Sequence, residues 1–346
     1  MTSPGQLVEV PDDYAAFYEY AVEQGWTDGL PVVPPTEKLV EAMLHGLDRN
    51  PADLVASVPP LGGAATVHAI AVNAVMAGCR PEYLRVVIAA VDAVCDPAYQ
   101  LVGAQVTTNS VAPAIVVNGP IREDLRINCG GGCLGPGWRS NATIGRAVSL
   151  VLRNVGGARP PDQSRTTHAS PARYTFCFGE DEANSPWEPL HVERGHGAKC
   201  STVTVVPVEG IIDCISGNLD HDEVFRLVSS GISCWGSTGM IYSGGTFTGG
   251  MVVLSPGRAR LFAAAGYTKA DVKRRLWETA GRPASQMPYL HRNRSPMPNI
   301  IDGMVYPTRR PEDLIVVVAG AKEPYHAMAL PGFCESRDVT RVIAAS

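Results

Sequence analysis

Cysteine, glycine and the start of a helix come together in the segment Asn128-Cys-Gly-Gly-Gly-Cys-Leu-Gly-Pro-Gly-Trp-Arg-Ser-Asn141. Glycines clear side chains away so that backbone N–H groups can converge, and a helix N-terminus adds partial positive charge. Both features stabilise an anion or a thiolate. Cys129 and Cys133 are therefore the expected nucleophilic or redox thiols. Arg139 and Arg146 are the cations expected to lower a thiol pKa, and Asn141 is the expected N-cap of the helix that follows. Three consecutive glycines cost unfolded-state entropy, which favours a functional cassette over a space-filling turn. The pattern is neither the phosphate loop nor the dinucleotide fingerprint, so it implies no nucleotide cofactor.

A second group lies in Trp187-Glu-Pro-Leu-His-Val-Glu-Arg-Gly-His196. His191 and Glu193 would share one face of a strand and supply proton transfer. With His196 they also have the ligand types for a divalent transition metal, although the helical H-E-x-x-H spacing is absent. The alternative reading is thus a metal-dependent hydrolase or lyase using a metal-bound water. A third stretch, 229–250, is rich in glycine and hydroxyls. It offers Cys234 and Ser237 to a ligand, although such small residues suit close backbone packing equally well. Thr107, Thr108 and Asn109 precede an apolar strand that Asn118 ends, as pocket walls or as ordinary turn formers. The basic run from His291 reads as a solvated loop.

The elements that must position these residues can be read from periodicity and caps. Helices are expected over 13–24, 37–47, 66–77, 81–95 and 141–154. Further helices are expected over 222–229 and 269–280, the last two opened by the capping-box pairs Asp220/Glu223 and Thr268/Asp271. Short apolar runs predict strands over 112–118, 173–178, 201–207, 250–254 and 314–319. The strand-to-turn runs Ile115-Val-Val-Asn-Gly-Pro120, Met251-Val-Val-Leu-Ser-Pro256 and Ile315-Val-Val-Val-Ala-Gly320 echo one another loosely. The expected architecture is α/β, with mixed sheets flanked by helices and two pseudo-similar halves around a glycine-rich centre. Its parts are an N-terminal helical cover with a Pro-rich strap over 1–60, an α/β half carrying the cassette over 61–158, and a second α/β half over 174–346.

Composition narrows the function classes. The chain has 346 residues, 45% of them hydrophobic, and a net charge of −5, which allows a large core and excludes disorder as its main description. Its basic residues are scattered, so nucleic acid is not an expected partner. No apolar run reaches the length of a membrane span and no signal peptide is evident, so a cytoplasmic protein without membrane contact is expected. Nine cysteines, an odd number in a chain of this size, argue against a disulfide framework.

Several motifs resemble a known group. Asp28-Gly-Leu-Pro-Val-Val-Pro-Pro-Thr36, Ala71-Val-Asn-Ala-Val-Met-Ala-Gly-Cys-Arg-Pro-Glu-Tyr83, Val117-Asn-Gly-Pro-Ile121, Gly135-Pro-Gly-Trp-Arg-Ser-Asn-Ala-Thr-Ile-Gly-Arg-Ala147, Trp187-Glu-Pro-Leu-His-Val-Glu-Arg194 and Tyr267-Thr-Lys-Ala-Asp-Val-Lys-Arg-Arg-Leu-Trp277 are similar to a poorly characterised bacterial family associated with U-G-S-C proteins. In those proteins selenocysteine or cysteine precedes Gly-Ser-Cys. The likeness runs over nearly the whole chain and implies thiol or selenol redox chemistry, here without a Cys-Gly-Ser-Cys; Cys234-Trp-Gly-Ser-Thr238 is only superficially similar. The leading expectation is a thiol-dependent oxidoreductase or lyase, or the large subunit of one, that acts on a small molecule and forms a homo-oligomer. A further reading is a scaffold that docks a small thiol or selenol redox protein.

Overall fold

Two helices, α1 (Tyr14–Glu23) and α2 (Glu37–Leu44), flank the Pro-rich strap. Asp13 and Thr36 cap them by accepting from backbone N–H groups of the first turn. The computed structural model describes residues 7–217, 219–243, 249–287, 298–334 and 336–344; His291 with its basic run up to 297, and the hydroxyls of 244–248, lie outside them. A hairpin, β1 (Leu54–Val58) and β2 (Gly63–Thr66), leads to the apolar helices α3 (Val67–Ala77) and α4 (Leu84–Val94) and to the short α5 (Leu101–Val106). Then follow β3 (Ala112–Asn118), α6 (Ile121–Asp124) and α7 (Arg139–Asn154). The remainder runs β4 (Cys177–Gly179), α8 (Leu190–Glu193), β5 (Thr202–Val208), β6 (Ile212–Ile215), α9 (His221–Ile232), α10 (Thr238–Ile241), β7 (Gly250–Leu254), α11 (Pro256–Ala264) and α12 (Lys269–Ala280). It closes with β8 (Arg282–Pro283), β9 (Asn299–Ile301), β10 (Met304–Tyr306), β11 (Ile315–Val318), β12 (His326–Pro331) and β13 (Val339–Val342). Both expected capping boxes are present, opening α9 and α12.

Alternation along the strands sets the layers. In β3, Ala112, Ala114 and Val116 point to one face while Ile115 and Val117 point to the other; in β7, Met251 and Val253 oppose Val252 and Leu254. One set of faces, joined by Val206, Ile315, Val317 and Leu330, packs sheet against sheet. The outer face of the first sheet is covered by α3, α4 and α7, and the outer face of the second by α9, α11 and α12. The chain is therefore a four-layer α/β sandwich: helices, sheet, sheet, helices. Strands buried on both faces have no polar side to show, which is why they read as continuous Val/Ile runs.

The two sheets share one pattern. The first has the order β13-β5-β3-β4 and the second β6-β12-β7-β11; in each, a parallel pair (β3 with β4, β7 with β11) continues through two antiparallel strands. Each half of the chain supplies a strand, a helical crossover, a parallel strand and an antiparallel strand to its own sheet. The next strand crosses over: β6, which follows β5, joins the second sheet beside β12, and β13, which follows β12, joins the first beside β5. The halves thus exchange edge strands. Of the three echoing segments, those ending at Pro120 and Pro256 are the ends of the topologically matched strands β3 and β7 with the turns after them, and the third belongs to β11, the parallel partner of β7. The segment 156–173 separates β3 from β4, which pair directly in one sheet. The Pro-rich strap packs Val32 into the same core as α3, α4 and α7.

Candidate functional site

The C-terminal ends of the parallel strands β3, β4 and β11 meet at one end of the sandwich. Asp181 N donates to Val318 O at 2.7 Å, tying the end of β4 to β11. The glycine-rich cassette threads between them: Asn128 O accepts from Gly179 N at 3.1 Å and Cys129 O accepts from Gly320 N at 2.8 Å. The cassette is held there by Asn141. Its side chain accepts from Asn128 N at 2.8 Å and donates to Asn128 O and Cys133 O at 2.9 and 3.2 Å. Asn141 is thus not the N-cap expected from the sequence. The helix begins two residues earlier, after Trp138, and the amide replaces a strand partner for the cassette backbone.

Where β3 ends, Gly119 turns the chain with φ +83°, and a Cβ there would lie 2.3 Å from Cys200 O, so only glycine fits. Its N–H donates to Glu182 Oε1 at 2.7 Å. The turn starts α6 and places Arg122 over Gly179, whose missing Cβ leaves room for the arginine stem. Arg122 Nη1 then reaches Cys129 Sγ at 3.3 Å, and its Nε lies 4.0 Å from Glu182 Oε1. Asn118 Nδ2 donates to Glu180 Oε2 at 2.7 Å and to Glu182 Oε1 at 3.0 Å, while Leu190 N donates to Glu180 Oε2 at 2.8 Å. His191 is fully buried on α8, its Nδ1 3.9 Å from Glu182 Oε1.

This cluster carries polar atoms with no hydrogen-bond partner among the described residues: Asn118 Oδ1, Glu180 Oε1, Arg122 Nε, both ring nitrogens of His191 and Thr202 Oγ1, all of them buried. Thr202 is directly opposite Asn118 in the β3–β5 ladder. Unpaired buried groups cost about 1–3 kcal/mol each, so their concentration at one sheet end marks a place built for something other than stability. Burial holds the Glu180 carboxyl above its usual pKa, against the charge of Lys269 and the hydrogen bonds from Leu190 N and Asn118. Burial likewise raises Cys129, with the nearby Arg122 charge opposing it and Asp181 adding to it. For Cys133, burial and then neighbouring Cys129 push the thiol up to about 12. The expected lowering of the thiol pKa values therefore fails, because burial outweighs the Arg122 charge at Cys129 and the backbone hydrogen bonds at Cys133.

The other expected site residues divide. Arg139 donates to Gly78 O, and Arg146 makes a two-pronged ion pair with Asp28, so neither is the cation beside the thiols; Arg122 is. His191 and Glu193 lie on a short helix rather than a strand, and Glu193 turns away to Lys269 at 2.8 Å and to Lys273. His196 is part-exposed, and among the described residues no three His, Cys, Asp or Glu side chains are grouped to hold a metal. The expected His191, Glu193 and His196 ligand set is thus not assembled. Thr107, Thr108 and Asn109 form a turn before β3, with Thr107 Oγ1 accepting from Asn109 N at 3.2 Å. Cys234 is exposed and Ser237 directly precedes α10, where Thr238 binds Glu209 just past β5. Both groups sit at the end of the first sheet opposite Asn118, away from the cassette. Arg122, Glu180, Asp181, Glu182 and Thr202 were not singled out from the sequence; the acidic run directly after a buried strand was the available signal.

No family model matches this chain, and no curated protein or solved structure does.

Proposed function

We propose that this chain is a cytoplasmic enzyme acting on a small molecule through the Cys129 thiol, by redox or lyase chemistry. The observation that carries the reading is the 3.3 Å approach of Arg122 Nη1 to Cys129 Sγ, beside a buried group of polar atoms without hydrogen-bond partners among the described residues. Burial keeps Cys129 a thiol at rest. In this reading Arg122 stabilises the thiolate once the proton leaves, and Glu182, 4.0 Å from Arg122 Nε with His191 3.9 Å from it, is the group assigned to take and return the proton. Cys133, buried and harder to ionise, packs between the sheets. Exposed Gly131 and Gly132 leave the cassette backbone open to a ligand. Eight of the cysteines, Cys129, Cys133 and Cys234 among them, are free thiols, in keeping with a reducing compartment. The resemblance to a family associated with selenocysteine or cysteine motifs points to the same chemistry, with a small thiol or selenol protein as the redox partner.

The test is an untargeted one. The purified chain is incubated with a small-molecule extract of cells, and every compound is followed by mass spectrometry. A compound consumed by the wild type and by C133S, but not by C129S, supports the assignment. Equal consumption by C129S overturns it.

A further inference from the structure

The far end of α7 borders a cleft of about 220 Å³. It is separate from the thiol centre: Arg139 opens the helix at the cassette, and Arg153 lies fourteen residues on in its last turn, about 20 Å away at 1.5 Å per residue. The cleft combines apolar walls from Tyr99, Leu101 and Leu152 with two guanidinium groups, those of Arg153 and of Arg173.

These arginines differ from others in the fold. Arg146 is paired with Asp28, Arg275 with Asp222 and Glu278, and Arg341 with Asp92 and Asp96. Arg153, in contrast, has no ion pair or hydrogen bond among the described residues, and its Nε is buried without a partner. Arg173 donates to Ser164 Oγ at 3.3 Å and has no carboxylate partner among the described residues. Asp28 also lines the cleft, but both its oxygens are engaged by Arg146. Burial disfavours the charge on both arginines; for Arg153 the charge of Arg159 adds to burial and that of Asp28 opposes it, and for Arg173 Tyr99 opposes it, yet the charge stays disfavoured at both. An incoming anion relieves this, and a guanidinium fork matches two oxygens on one centre.

We propose that this cleft binds a small organic carboxylate, with Arg153 and Arg173 holding the anionic group and the carbon body lying against Tyr99, Leu101 and Leu152. On the same measure one water needs about 10–15 Å³, so the cleft admits a ring or a short branched chain. The apolar walls favour such a body over a bare inorganic anion.

Calorimetric titration of the full chain with benzoate, its neutral isostere benzamide, and inorganic phosphate tests this. Saturable one-to-one binding of benzoate is expected, weakened about tenfold or more in R153Q and in R173Q, with benzamide and phosphate weaker by a similar factor. Benzoate that does not saturate, benzoate binding unchanged in both variants, or benzamide or phosphate binding as tightly as benzoate would each overturn the proposal. Should a variant fail to fold, wild-type crystals soaked in 4-bromobenzoate decide the matter: the bromine's anomalous peak must lie in this cleft, and a peak elsewhere or no peak overturns it. None of these outcomes depends on Cys129, so the proposal stands or falls apart from the thiol reading.

Discussion

Arg122 and Cys129 are seven residues apart, and they meet because α6 turns back over the end of β4, bringing Nη1 to 3.3 Å from Sγ. The contact is possible because Gly179 has no side chain to occupy the arginine's path. Two opposed effects converge on the sulfur: burial disfavours the thiolate and the guanidinium favours it.

Removing the guanidinium leaves burial unopposed. In R122Q the Cys129 thiol is expected to titrate higher still, because the charge that opposed burial is gone. At any pH below both midpoints, alkylation of Cys129 then slows, because the thiolate is the reacting form. Site-resolved iodoacetamide labelling across pH measures this, with exposed Cys234 as an internal reference. An unchanged rate at Cys129 would mean that the contact has no electrostatic effect on the sulfur.

Glu180 ties pH to stability at the same place. Its carboxyl is raised above its usual value by burial, so the native state holds its proton over a range in which the unfolded state has released it. The unfolded state then binds fewer protons, and stability falls as pH rises from the unfolded pKa, about 4.3, toward the folded one. E180Q removes this decline while its carbonyl can still accept from Leu190 N and Asn118. Urea unfolding at pH 4 and pH 8 is expected to show the variant gaining on the wild type at the higher pH. A constant difference between the two would show that Glu180 does not titrate on unfolding.

Asp28 runs the other way. Burial would raise its carboxyl, but the hydrogen bonds and charge of Arg146, helped by backbone N–H groups, outweigh burial and lower it. Its contribution is therefore full above the unfolded pKa, about 3.9, and is lost as pH falls through the lower folded value. Both side chains are more than four-fifths buried, at 12% and 14% exposed. R146M is thus expected to cost roughly 2–3 kcal/mol at pH 7, below the full range for a completely buried pair, and less below pH 3. Denaturant titration at both pH values checks the sign and the size.

What could be read from the sequence was what is local. The capping boxes Asp220/Glu223 and Thr268/Asp271, and the period-3.6 stripes of α4 and α7, lie within one helix each, so adjacent residues sufficed to place them. The polar cluster is different in kind. Asn118 meets Glu180 and Glu182 across sixty-two and sixty-four residues, and it faces Thr202 only through the ladder between β3 and β5. Glu193 had a plausible partner in nearby His191, yet Lys269 and Lys273 of α12 captured it from the other half of the chain. Asn141 has the residue type of an N-cap, but the cassette backbone offered it three hydrogen bonds instead of one. In each case tertiary pairing overrode a valid local preference.

The exchange of β6 and β13 makes a prediction about separability. A cut after Gly210 leaves the first fragment with β3, β4 and β5 but without β13, so β5 is left as an unpaired edge. The second fragment keeps all four strands of its sheet and carries β13 with nothing to pair against. Each also exposes the inner face that the other covers: Ala112, Ala114, Val116 and Val206 on one side, Met251, Val253, Ile315 and Val317 on the other. Such broad apolar surfaces drive aggregation rather than independent folding. Residues 1–210 and 211–346 are therefore expected to be insoluble or unfolded when expressed singly, and to form a soluble one-to-one complex when co-expressed, read by size-exclusion chromatography and circular dichroism. A cooperative thermal transition in either fragment alone would mean that the sheets are separate domains and that the strand exchange is a superficial tie; its absence from both would mean that the two halves fold as one unit.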